Sequence, residues 1–349
     1  MSTRRVFLKC LGGLGACLLP WTGWPDLFVN SSQPAQASIK NLLPAELSTI
    51  GSNHETINSY LNRTAMDDIL VLTQPKLEGR RAGTLGEEKA AAYLVNQMRG
   101  LGLEPLGDSI ENQQRNYLNA FTIYPVVEKF VNGRLTFRQG NPNSLRTPSA
   151  NVIGGLMGIN NKESVILSAH YDHLGIFQGK LYPGANDNAS GVGCILDVIR
   201  RLIQEGLKPK RNVVLAFWSA EEMGFVGSFS FVQNPTILRS GIQAVFNVDS
   251  VGNGSLGEFA LWANSDNRAV QAVQAAVSKN KASAVLTPSN GYNSDQLYFN
   301  LEHVPAVTLM ARNWLYKNHT PEDIPSFVEP QKIALASDIL YGAVRELAF

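Results

Sequence analysis

Five short stretches of the chain carry the imidazole and carboxylate groups with which proteins run acid–base and metal chemistry. They are His170-Tyr171-Asp172-His173-Leu174-Gly175, Gly184 to Gly191 with Asp187 inside it, Ser219-Ala220-Glu221-Glu222-Met223-Gly224, Asn247-Val248-Asp249-Ser250, and Asn318-His319-Thr320-Pro321-Glu322-Asp323. Singly, each has an ordinary explanation. Asp187 precedes an apolar helix and fits an N-cap. Glu221-Glu222 fits a solvated helix start, where carboxylates meet the positive dipole end. A His-x-Asp pair fits a surface loop. The joint placement is harder to explain away, because the acidic and histidine residues gather at strand exits of one sheet. In open α/β sheets that is where ligands bind.

The elements that must position these residues are readable from apolar runs. Val165-Ile166-Leu167-Ser168-Ala169, Val213 to Trp218, Ala244 to Val248 and Val304 to Leu309 are short, β-branched and continuously apolar. Such strands are buried on both faces, which calls for helices on both sides of the sheet. Pro305 favours an early strand position. Helical stripes fill the gaps: Val192 to Ile203, Val270 to Val277, and Ile333 to Leu347. Upstream, the pattern predicts a helix over 62–74, a glycine-framed loop over 79–84 and a second helix over 86–100. Residues 117–127 and 129–137 read as paired extended segments, and 140–148 as a turn-rich spacer. The fold class is α/β, with a mixed, mostly parallel central sheet and helices on both faces.

These blocks, in this order and spacing, resemble the zinc aminopeptidases of peptidase family M28, of the Streptomyces and Aeromonas type. The resemblance runs from about Asp67 to Leu347. It implies the zinc-exopeptidase (phosphorylase/hydrolase-like) fold and a pair of zinc ions. His170 and Asp249 would hold one ion, Glu222 and His319 the other, and Asp187 would bridge them. Glu221 would be the general base and Asp172 would orient His170. The donor chemistry agrees. Each ion receives one imidazole, one terminal carboxylate and a share of a bridging one, which leaves an open position for water. Adjacent Glu221 and Glu222 can divide the work of base and ligand. Three carboxylates against two imidazoles make a fairly hard site, so Co or Mn can substitute for Zn. The implied activity is hydrolysis of N-terminal residues from peptides by metal-activated water, with free-N-terminus peptides as partners. Two alternatives share the scaffold: a single-zinc glutaminyl cyclase, and an inactive binding module.

The match loosens in two places. Where the family often has Ser-Asp-His, this chain has Ser294-Asp295-Gln296. Where many relatives have Tyr before the last histidine, it has Asn318, whose amide either donates to the oxyanion or shapes the loop. His173 is read as structural, His54 and His303 as core or surface residues, and Cys194 as a buried small hydrophobe.

Composition sets the frame. With 44% hydrophobic and 17% charged residues over 349 positions, wholesale disorder is excluded. Lys+Arg 30 against Asp+Glu 29 leaves a net charge of +1, which offers no footprint for nucleic acid. Thr3-Arg4-Arg5-Val6-Phe7-Leu8-Lys9 resembles the twin-arginine export signal, followed by an interrupted apolar stretch and Ala35-Gln36-Ala37. The expectation is a signal peptide over 1–37, an arm over 38–57 and a single peptidase domain over 58–349. Export would deliver the protein to the periplasm or outside the cell, with no stable membrane span in the mature chain. Lipoprotein anchoring at Cys17 is the rival reading. Cys10 and Cys17 leave with the signal, so Cys194 has no internal partner for a disulfide.

Overall fold

The computed structural model describes residues 54–110, 114–287 and 293–349. The expected signal peptide, its cleavage site and Cys17 lie outside the described residues, as does the arm up to residue 53. Two helices open the described chain, α1 (His54–Leu61) and α2 (Ala65–Leu72). This corrects the single helix expected over 62–74. The reason is local: Thr64 is an N-cap whose side chain accepts from Asp67 N, while the Asp67 carboxylate accepts from Thr64 N. That reciprocal pair restarts the helix. A short 3-10 turn over Pro75–Arg80 leads into α3 (Leu85–Gly100).

Strands β1 (Glu104–Pro105), β2 (Leu118–Ile123), β3 (Val126–Val131) and β4 (Arg134–Gln139) follow. The expected pairing of 117–127 with 129–137 is corrected here. β2 joins the main sheet, and β3 pairs with β4. Asn132 and Gly133 take φ of 51° and 79°, the two-residue hairpin turn that Asn-Gly favours. It falls inside what the apolar pattern reads as one strand.

The chain continues through β5 (Thr147–Leu156), β6 (Asn160–His170), the small hairpin β7 (Gly175–Phe177) and β8 (Lys180–Tyr182), α4 (Ser190–Gln204), β9 (Arg211–Trp218) and α5 (Val226–Gln233). After these come β10 (Ile242–Val248), β11 (Glu258–Trp262), α6 (Arg268–Lys279), β12 (Ser283–Thr287), α7 (Gln296–Leu301), β13 (Ala306–Ala311) and α8 (Pro330–Ala348). The main sheet runs β1-β5-β9-β6-β10-β13-β11-β12, with β2 also on β5. Its centre, β9-β6-β10-β13, is parallel. β5 runs against β9, and β11 against β13. β1 and β2 oppose β5 and therefore share the direction of the centre. Pro305 sits just before β13 rather than within it.

Side-chain alternation divides the core into two layers. Val165 and Leu167, Val213 and Leu215, and Phe246 point to the layer covered by α2, α3, α4, α6 and α8. Ile166, Val214, Trp218 and Val245 point to the layer covered by α5 and α7. Cys194 is buried in the first layer. On the second face a polar chain crosses the sheet: Ser168 Oγ donates to Asn247 Oδ1 at 2.9 Å, and Asn247 Nδ2 donates to Ser294 and Thr308. Thr308 donates to Gln296 Oε1 at 2.7 Å. Gln296 therefore closes a buried network below the strand exits.

Candidate active site

The strand exits bring the sequence-marked residues to one end of the parallel centre. His170 is the last residue of β6, and Asp249 is the first after β10. Glu221 and Glu222 follow β9, Asp187 lies in the loop before α4, and His319 lies between β13 and α8. The Asp187 loop is tightly tied. Gly184 has φ of 61°, and a Cβ there would stand 2.3 Å from Asp187 O and 2.5 Å from the His173 ring. Only glycine fits that turn. Asn188 Nδ2 donates to Val248 O at 2.8 Å, and its Oδ1 accepts from Gly191 N and Ser250 N. The loop is thereby fixed to the exit of β10, where Asp249 begins.

Asp187 stands at the centre. Its Oδ1 lies 3.3 Å from His170 Nε2, and its Oδ2 lies 3.2 Å from His319 Nε2. His170 Nε2 is also 3.5 Å from Asp249 Oδ1, and His319 Nε2 is 2.9 Å from Glu222 Oε2. Donor atoms of His170, Glu221 and Asp249 gather within 4.8 Å of one another, as do those of His173, Asp187 and Glu222. Ligand atoms about 2.0–2.1 Å from a tetrahedral zinc stand about 3.3–3.4 Å apart. The spacings of 3.3 and 3.2 Å around Asp187 lie near that value, and the imidazole and carboxylate donors are of the kind zinc takes.

The neighbours of these groups are specific. Asp172 Oδ1 accepts from Glu221 N at 3.1 Å and lies 3.7 Å from His170 Nδ1, while the Asp172 carbonyl is closer to that nitrogen at 3.3 Å. Asp172 thus touches both His170 and the Glu221 segment. His173, read as structural, has its Nδ1 2.7 Å from Glu222 Oε1, so it supports the carboxylate from the side away from His319. Asn318 Nδ2 donates to Asp187 Oδ2 at 2.5 Å. His303 is exposed.

Sequence reasoning gave no role to Asp323, although it closes the block that begins at Asn318. Its two oxygens accept from Asn186 N and Asp187 N at 2.8 and 2.9 Å. It fixes the backbone on which Asp187 sits. The available signal was its place four residues after His319.

The electrostatics follow from packing so many carboxylates below the surface. Burial opposes the Glu222 charge, but His319 and the hydrogen bonds from His173 and His319 together hold the group at about 2. Burial opposes the Asp187 charge as well, and its contacts with His170 and His319 hold it well below the carboxylate range. Glu221 goes the other way. Burial pushes it well above its usual value against the pull of His170, and Asp249, Asp295 and Glu222 add to the rise. Burial also pushes Asp295 up to about 7, against the attraction of His170. Glu221 and Glu222 are chain neighbours with opposite proton affinities.

Known proteins align with this picture. An aminopeptidase of Pseudomonas aeruginosa (strain UCBPP-PA14) is 36% identical over 33% of this chain and 20% of its own length. Aminopeptidase YwaD of Bacillus subtilis (strain 168) is 26% identical over 57% of this chain and 44% of its own length. The chain therefore spans less than half the length of either relative. Among solved structures, BSAP, a zinc aminopeptidase from Bacillus subtilis, superposes with a TM-score of 0.65 at 18% identity, over 81% of this chain and 94% of that one. A Porphyromonas gingivalis glutaminyl cyclase superposes at 0.61 and 16% identity, over 81% and 97%. At such identities the likeness is one of fold. The sequence profile of peptidase family M28 matches residues 151–344, which hold every site residue marked from the sequence, and the chain belongs to that family.

Proposed function

We propose that this protein is a dizinc aminopeptidase that removes N-terminal residues from peptides. One observation carries the reading: Asp187 faces His170 with one oxygen and His319 with the other, and each histidine has its own second carboxylate. His170 and Asp249 would hold one ion, Glu222 and His319 the other, with Asp187 shared. Zinc, when bound, lowers the pKa of a bound water and polarises a carbonyl oxygen; Co or Mn would serve in its place.

The chain's own groups supply the rest. Glu221 accepts the proton from the attacking water and hands it to the leaving amine. Its burial and its neighbours Asp249, Asp295 and Glu222 favour the protonated form it must adopt between the two transfers. Asp172 takes the Glu221 N–H and stands beside His170, so base and ligand keep one spacing. Asn318 keeps its amide on Asp187. The twin-arginine pattern at Arg4-Arg5 supports export to the periplasm or beyond.

The test compares peptides with free and acetylated N-termini. Release of the first residue from the free peptide alone supports the proposal. Internal cleavage of the acetylated one overturns it. The fold shared with a glutaminyl cyclase supports a second reading, closure of an N-terminal Gln on itself; one zinc per chain with pyroglutamate as product would select it.

A further inference from the structure

We infer that Arg80 and Glu87, which lie before the residues matched to the family, are positioning residues that set the spacing of the site. The inference rests on the dizinc reading above.

Arg80 is fully buried. Its Nε donates to Tyr171 O at 2.7 Å, its Nη1 to Leu72 O and Pro183 O at 2.7 Å each, and its Nη2 to Gly184 O at 3.0 Å. These four bonds go to main-chain carbonyls. Two of the segments held are those that matter here. Tyr171 lies between His170 and Asp172, and Gly184 lies three residues before Asp187. A single planar fork thus fixes how far the exit of β6 stands from the Asp187 loop. Burial lowers the guanidinium to about 10, against the pull of Asp172, Asp323, Asp187 and Glu222. A lysine has the charge but not the fork.

Glu87 is buried in the first turn of α3. Its Oε1 accepts from Ser149 Oγ and Ser219 Oγ, each at 2.5 Å, and its Oε2 accepts from Gly83 N. The Tyr171 hydroxyl is 3.3 Å from Oε1 while donating to Ala150 O at 2.6 Å. Ser219 is two residues before Glu221. Arg80 therefore holds the Tyr171 carbonyl while Glu87 sits at its phenol, and Glu87 also holds the segment that presents the base. Neither carboxylate nor guanidinium touches the reacting region; both act through the backbone that carries it.

The experiment uses the full chain and two variants, Arg80→Lys and Glu87→Gln, with folding checked by circular dichroism. Zinc affinity is measured by chelator competition, and kcat and KM are measured on an aminoacyl anilide. Loss of an outer partner of a metal ligand costs about 10–100-fold in affinity or activity. Arg80→Lys is expected to weaken both ions by that order, because Asp187 is shared. Glu87→Gln is expected to lower kcat by a similar factor with KM little changed. Folded variants with wild-type affinity and wild-type kcat overturn the inference. If Glu87→Gln does not fold, Ser219→Ala removes one hydroxyl from the same grip and decides that half by its kcat; if Arg80→Lys does not fold, Arg80→Gln, which keeps part of the planar donor set, decides the other half by its zinc affinity. Wild-type protein that binds no zinc overturns the dizinc reading and this inference with it. Wild type that binds two ions beside variants that match it overturns this inference alone.

Discussion

Oδ1 of Asp187 lies 3.3 Å from Nε2 of His170, which leaves its second oxygen free to face the other side of the site. There it meets His319 at 3.2 Å. A carboxylate split in this way ties two donor sets into one unit. Asp187→Asn keeps the shape but halves the charge-bearing oxygens. It should weaken both zinc ions, seen as loss of both in chelator competition. Two tightly held ions in the folded variant would remove Asp187 from the bridging position.

Glu221→Gln should leave metal content at the wild-type level and lower kcat by about 10²–10⁴, the usual contribution of a positioned base. Metal content from elemental analysis and kcat from anilide hydrolysis check it together. If metal falls with activity, Glu221 is a ligand rather than a base.

His319→Ala leaves His170, Asp249 and one oxygen of Asp187 in place. Zinc stoichiometry should fall by one ion, with the other retained. Unchanged stoichiometry would take His319 off the ligand set.

Glu87 makes a prediction about pH. Burial pushes its carboxyl up to about 7 from an ordinary 4.5, against the hydrogen bonds from Ser149, Ser219 and Gly83. The folded chain therefore holds this proton more tightly than the unfolded one. Its contribution to stability is complete below pH 4.5 and lost as pH rises through about 7. At 1.36 kcal/mol per unit the loss is at most about 3 kcal/mol. Denaturant melts across this range should fall more steeply for wild type than for Glu87→Gln. Parallel curves would contradict the assignment.

What the sequence revealed follows from how local each signal is. The four parallel central strands were legible because β-branched apolar runs such as Val213 to Trp218 need no partner to be recognised. His170, Glu221 and Asp249 were legible as candidates because β6, β9 and β10 end beside them. The pairing of β2 with β5 was not, since register depends on contacts between residues about thirty positions apart. The split between α1 and α2 hung on one capping pair at Thr64 and Asp67. Arg80 and Glu87 were invisible as site residues. An arginine in a glycine-rich loop and a glutamate in a first helical turn both look solvated until the fold buries them. His173 and Asp323 stood inside marked blocks, but what they touch is decided by a loop and a strand exit meeting in space.

The most direct measurement is zinc per chain in the purified protein, paired with release of an N-terminal residue before and after chelation. The account predicts two zinc ions, loss of release on chelation and recovery when zinc is returned. A chain that carries no zinc, or whose release survives complete removal of metal, would contradict it.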